Sequence, residues 1–117
     1  MKAIKPSAYI RFLNCLDALD RMNPGKELDS TEEQLLNQIA SAASQGRMLL
    51  VGDLISLGEL GSQATLHGRI KNLVVMGYVK LSEDKADGRK KIVTPTAKAL
   101  KHYEQLSQCL EKALRSS

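Results

Sequence analysis

Between Ser62 and Thr96 the spacing of apolar residues changes twice, so the segment cannot be a single kind of element. In SQATLHGRIKNLVVM, Leu66, Ile70, Leu73 and Val74 fall at i, i+4, i+7 and i+8, the stripe of one helical face. Gly77 follows as the residue that ends such a helix. YVKLS then alternates, with Val79 and Leu81 on one side and Tyr78, Lys80 and Ser82 on the other. KADG turns, KKIVT returns as a second strand, and Thr96 after Pro95 can cap a further helix. The pattern predicts a mainly α fold with a small β-hairpin.

The rest of the chain adds helices. Tyr9, Phe12, Leu13, Leu16, Leu19 and Met22 recur at steps of three and four behind Ser7, and Asn-Pro-Gly breaks the run. STEEQLLNQIASAAS opens on a capping pattern, Ser30 or Thr31 followed by Glu33 and Gln34, and buries Leu35, Leu36, Ile39, Ala42 and Ala43. Met48 to Val51 reads as a short strand and Asp53 to Leu57 as one or two helical turns, with Gly58 and Gly61 bracketing a turn. In the last helix Leu100, Tyr103, Leu106, Leu110 and Ala113/Leu114 form a seam close to a heptad. With one Phe, three Tyr and no Trp, packing rests on aliphatic residues, which favours helices.

Charge is unevenly placed. Residues 1–61 carry six Lys/Arg against eight Asp/Glu, residues 62–94 seven against three, and residues 95–117 four against two. The tip SEDKADGRKKIVT gathers Lys85, Arg89, Lys90 and Lys91 around Gly88. Such a tip repels itself unless an anion lies opposite, and a local basic block points to a polyanionic partner. A short helix, a glycine-containing turn and a longer helix have the layout of a helix-turn-helix, and the hairpin behind it makes a wing. The second helix of such a motif enters the major groove, while the wing reaches a phosphate or the minor groove.

From Met48 to about Leu100 the chain resembles the winged-helix domain of MarR-type transcriptional regulators. Recognition helices of that family commonly read S-x-x-T-hydrophobic, and Ser62, Thr65, Leu66, Ile70, Leu73, Gly77 and YVKL fit. The family's wing reads D-x-R-x-x-x-V-x-L-T, and Asp87, Arg89, Val93 and Thr96 fall in register, with Pro95 in the Leu place. Gly68 departs from a large polar residue, Asn72 from an Arg and Ala99 from a glycine, and the turn SLGELGS is longer than usual. The resemblance implies that Asp87 orders the wing turn and Arg89 reaches the minor groove. It also implies that the end helices intertwine in a homodimer.

These readings give one winged-helix domain over residues 1–117, with dimerisation helices at 7–22 and 96–115, a DNA-binding core at 48–94 and a wing at 83–91. The expected function is sequence-specific binding of double-stranded DNA by a homodimeric transcriptional regulator, a repressor. Ser62, Gln63, Thr65, Arg69, Lys71 and Asn72 are assigned to the groove and adjoining phosphates, and Lys85, Arg89, Lys90 and Lys91 to the wing. Phe12, Leu16, Leu19, Tyr103, Leu106, Leu110 and Leu114 are assigned to the dimer. Gly68 in mid-helix reads either as close packing against another element or as room for a partner's approach. The alternative function is a winged-helix module that docks on protein, which the small and apolar arc of Ala64, Gly68 and Val75 would suit. Related regulators also bind small-molecule effectors, for which no residue here speaks.

Other chemistry finds little footing. His67 and His102 lack metal-site spacing with Cys or carboxylates, and no cofactor or metal is expected. No phosphate-binding glycine loop or Ser/His/Asp pattern appears, so no enzyme is expected. Cys15 and Cys109, on the two end helices, read as inert packing residues more readily than as a redox pair. Asp17/Asp20 and Glu32/Glu33 read as solvated helix charge and dipole complements. No apolar run approaches the ~18 residues of a membrane span, and acidic residues stand where a signal peptide is apolar, so a cytoplasmic protein is expected.

Overall fold

The computed structural model describes residues 2–23 and 28–115. Its elements are α1 (Ala8–Met22), α2 (Ser30–Ser44), β1 (Leu49–Leu50), α3 (Val51–Ile55), α4 (Gln63–Val75), β2 (Val79–Glu83), β3 (Lys91–Pro95) and α5 (Ala97–Leu114). Every element expected from the sequence is present, with ends shifted by a residue or two. Pro24 and Gly25, on which the sequence places the first break, lie outside the described residues. Two compact units result, one of α1 with α5 from Lys101 onward, the other running from Leu28 to Leu100.

In the second unit, Leu35, Leu36 and Ile39 of α2, Leu54 of α3 and Leu66, Ile70 and Leu73 of α4 are buried to within 2 % exposure. Burying a leucine contributes about 1.5–3 kcal/mol, so these side chains fix how α4 lies on α2 and α3. Ala43, expected in the stripe, is exposed, because Ala42 already occupies the inward position one residue earlier. Both α2 and α4 end in a glycine with positive φ, Gly46 at 73° and Gly77 at 83°. In α4 the Gly77 N–H donates to the Val74 carbonyl and the Tyr78 N–H to the Leu73 carbonyl, which closes the helix and turns the chain into β2.

The sheet is antiparallel in the order β1-β3-β2. Leu49 and Leu81 flank Val93 in one cross-strand row, and Val79 pairs with Pro95. Val79 and Val93 are buried, whereas Leu81, opposite Val93 but on the edge strand β2, is 41 % exposed. Tyr78, assigned by alternation to the polar side, is buried instead. The Lys98 ammonium lies 4.6 Å from its ring centroid and donates to the Met76 carbonyl at the end of α4. Burial pushes the Tyr78 phenol pKa up. The Thr96 hydroxyl donates to the Gly77 carbonyl at 2.6 Å and accepts from the Ala99 N–H at 3.3 Å, so one side chain closes α4 and opens α5.

In the first unit, α1 and α5 run antiparallel. Arg11 donates twice to the Ala113 carbonyl, and four residues on in α1 and back in α5 Cys15 is joined to Cys109 in a disulfide with Cα atoms 5.7 Å apart. The expectation of inert, unpaired cysteines is therefore corrected: the antiparallel register brings two positions 94 residues apart into bonding distance, which spacing along the chain could not reveal. Facing inward from α5 are Cys109 and Ala113, while Leu110 is 50 % and Leu114 66 % exposed. No helix among the described residues is long and apolar enough to cross a membrane.

Candidate nucleic-acid interface

Ser62 is the N-cap of α4: its hydroxyl accepts from the Thr65 N–H at 3.2 Å and donates to the Thr65 hydroxyl at 3.0 Å. With Leu66, Ile70 and Leu73 turned inward, the first two turns expose Gln63, Ala64, Thr65, His67 and Gly68, and Lys71 lies exposed a turn further on. A Cβ built on Gly68 meets nothing within 4 Å, so this glycine is not there to admit another element of the chain. Of the sequence's two readings of Gly68, close packing against another described element of the chain is not what the structure shows. Val75 at the far end of α4 is 83 % exposed.

The hairpin tip is built around Asp87. Its carboxylate accepts from the Arg89 N–H at 3.1 Å and from the Arg89 Nε at 3.2 Å, and the Lys90 N–H donates to the Asp87 carbonyl. Arg89 beside it holds the Asp87 carboxyl below the usual carboxylate range. The turn thus holds Arg89 by its backbone N–H and its guanidinium, while the side chain stays 92 % exposed. Lys85 and Lys90 are exposed as well, and Lys91 pairs with Glu83 at 3.0 Å.

Arg69 and Asn72 stand differently from the other assigned residues. Both face the first turn of α2. Asp29, not Ser30 or Thr31, caps that helix, in a reciprocal box with Glu32: the Glu32 N–H donates to Asp29 Oδ1 at 2.7 Å, and the Asp29 N–H to Glu32 Oε1 at 2.9 Å. Each carboxylate turns its other oxygen to α4. Asp29 Oδ2 is 3.2 Å from Arg69 Nε, and Glu32 Oε2 accepts from the Asn72 amide and lies 3.9 Å from Arg69 Nη1. Glu32 is 3 % exposed, the one buried charged side chain among the described residues, so it complements the helix dipole in the first turn of α2 as expected but is not solvated. The D-x-x-E spacing from Asp29 was in the sequence, masked by the overlapping Ser30 and Thr31 frames.

A short helix, a turn, a longer helix with an exposed start and a basic hairpin define a winged helix-turn-helix. The fold is similar to that of solved MarR-family structures. A Staphylococcus aureus MepR mutant bound to an oligodeoxyribonucleotide superposes with a TM-score of 0.65 at 17 % identity, over 90 % of this chain and 69 % of the other. A MarR protein from Peptoclostridium difficile gives 0.56 at 25 % identity, over 97 % and 76 %. A probable transcriptional regulator from Pseudomonas aeruginosa gives 0.60 at 23 %, over 92 % and 76 %. No protein-family model and no curated protein matches the chain in sequence.

Proposed function

We propose that this chain binds double-stranded DNA as a homodimeric transcriptional repressor. The observation that carries the reading is the exposed Arg89, seated on Asp87 at the tip of a basic hairpin directly behind a helix whose first two turns are exposed. Gln63 and Thr65 would read base edges, Ser62 and Lys71 would meet the backbone, and Arg89 would enter the minor groove with Lys85, Lys90 and Lys91 on flanking phosphates. Cations held on a turn gain from counterion release without first being ordered. The exposed Leu110 and Leu114 of α5, with Tyr9, Ile10 and Leu13 of α1, support pairing of two copies through the end helices. The other residues assigned to the dimer, Phe12, Leu16, Leu19, Tyr103 and Leu106, are half-buried within one chain. A twofold dimer would meet half-sites about one helical turn apart.

The test is binding to mixed-sequence duplex DNA across a salt series, with the particle size measured in parallel. A dimer whose affinity falls steeply with salt, and less steeply by about one slope unit in Arg89→Ala, is the expected result. The exposed Val75 favours the second reading, a module that docks on protein. Absence of DNA binding even at low salt would select it.

A further inference from the structure

We infer that Asp29 and Glu32 are positioning residues for the recognition helix, and that Arg69 and Asn72 are held by them and do not contact DNA. The inference deepens the DNA-binding reading and rests on it for its functional consequence.

Both carboxylates of the α2 capping box are divided in the same way. One oxygen of each satisfies the start of α2, and the other faces α4. Glu32 cannot trade its α4 partner for water, because it is buried. A carboxylate there needs donors, and the Asn72 amide and the Arg69 guanidinium are the ones α4 supplies. Two donors on α4, three residues apart, thereby meet two acceptors on α2, also three residues apart. Two points of attachment fix the rotation of α4 about its own axis as well as its distance from α2. Rotation about that axis decides whether Gln63, Thr65 and Gly68 face outward together. The carboxylates have a second effect. They offset the charge of Arg69 at the flank of the exposed face, so a phosphate there would meet a cation already paired with Asp29.

The measurement is the salt dependence of binding to mixed-sequence duplex DNA, beside amide hydrogen exchange of α4, for the wild type, Arg89→Ala, Arg69→Gln, Arg69→Lys, Asn72→Ala and Glu32→Gln, at a temperature where each is folded. Glu32→Gln keeps one acceptor oxygen, enough for the cap, and puts an NH2 donor in place of the oxygen that faces Asn72 and Arg69. Arg69→Gln is expected to weaken binding about two- to fivefold, and Asn72→Ala about tenfold. Both are expected to keep the wild-type salt slope and to speed exchange in α4. Arg69→Lys, which keeps a cation beside Asp29, recovers the slow exchange, and Glu32→Gln, which loses the acceptor for Asn72, speeds exchange at least as much as Asn72→Ala. A salt slope that drops in Arg69→Gln as it does in Arg89→Ala would make Arg69 a phosphate contact and overturn the inference. Unchanged exchange in Glu32→Gln and Asn72→Ala would overturn it too. Should the wild type bind no DNA, the DNA reading fails by itself, and exchange alone decides whether these four residues seat α4.

Discussion

Arg11 Nε and Nη2 both donate to the Ala113 carbonyl, at 3.0 and 2.7 Å, one helical turn from the Cys15–Cys109 bond. The carbonyl lies in the last turn of α5, and the guanidinium opposes the negative end of the helix dipole there. Arg11→Met keeps most of the stem and removes these two bonds together with a third, from Nη1 to the Pro6 carbonyl at 2.9 Å. It is expected to lower stability by about 1 kcal/mol, read as an earlier thermal unfolding of the whole chain.

The disulfide closes a loop spanning 94 residues. Loop entropy alone predicts a loss of about 4.7 kcal/mol when it is removed, a large part of the stability of a chain this size. Urea titrations with and without reductant, and of a Cys15→Ala/Cys109→Ala pair, should show the same drop in midpoint. A midpoint that does not move under reductant would mean that the bond does not form in solution.

Gly68 and Gly77 should respond to alanine in opposite directions. Gly68 sits mid-helix with open space around it, so Gly68→Ala is expected to stabilise by about 0.5–1 kcal/mol. If DNA approaches that face, the same variant binds less tightly despite being more stable. Gly77 has a φ of 83°, and Gly77→Ala should destabilise by about 1 kcal/mol. Thermal melts paired with a binding titration separate these outcomes.

His102 is half-buried in the unit formed by α1 and α5, and burial lowers its pKa against the opposing pull of Asp20. The unfolded chain then takes up a proton at higher pH than the folded one. Stability is complete above the unfolded value of about 6.5 and declines as pH falls from there through the folded pKa. His102→Gln should flatten that part of the pH–stability curve, as read from urea midpoints between about pH 5 and 7.5.

Local pattern located the elements well where one signal dominated. Leu66, Ile70 and Leu73 were legible as the inner face of α4, and Gly77 as its end, because periodicity and a left-handed glycine each have one simple cause. The turn at KADG was legible for a related reason, since it is one short loop, while the role of Asp87 in ordering it came from the family resemblance. The Cys15–Cys109 bond and the seat of Arg69 and Asn72 on α2 were not legible, since each pairs residues far apart in the chain. Leu110 and Leu114 fit a heptad seam in sequence, yet within one chain the inward positions of α5 go to Cys109 and Ala113. Small side chains let α1 come close, and the large ones are left outside.

The capping box of α2 has a consequence for anyone redesigning this chain. By helix-start rules alone, serine at 29 with glutamine at 32 is as good a beginning as the native pair. Such a swap would look conservative in any account of α2, and its damage would surface in α4, forty residues away along the chain. Tolerance at positions 29 and 32 is therefore set by a helix to which neither belongs.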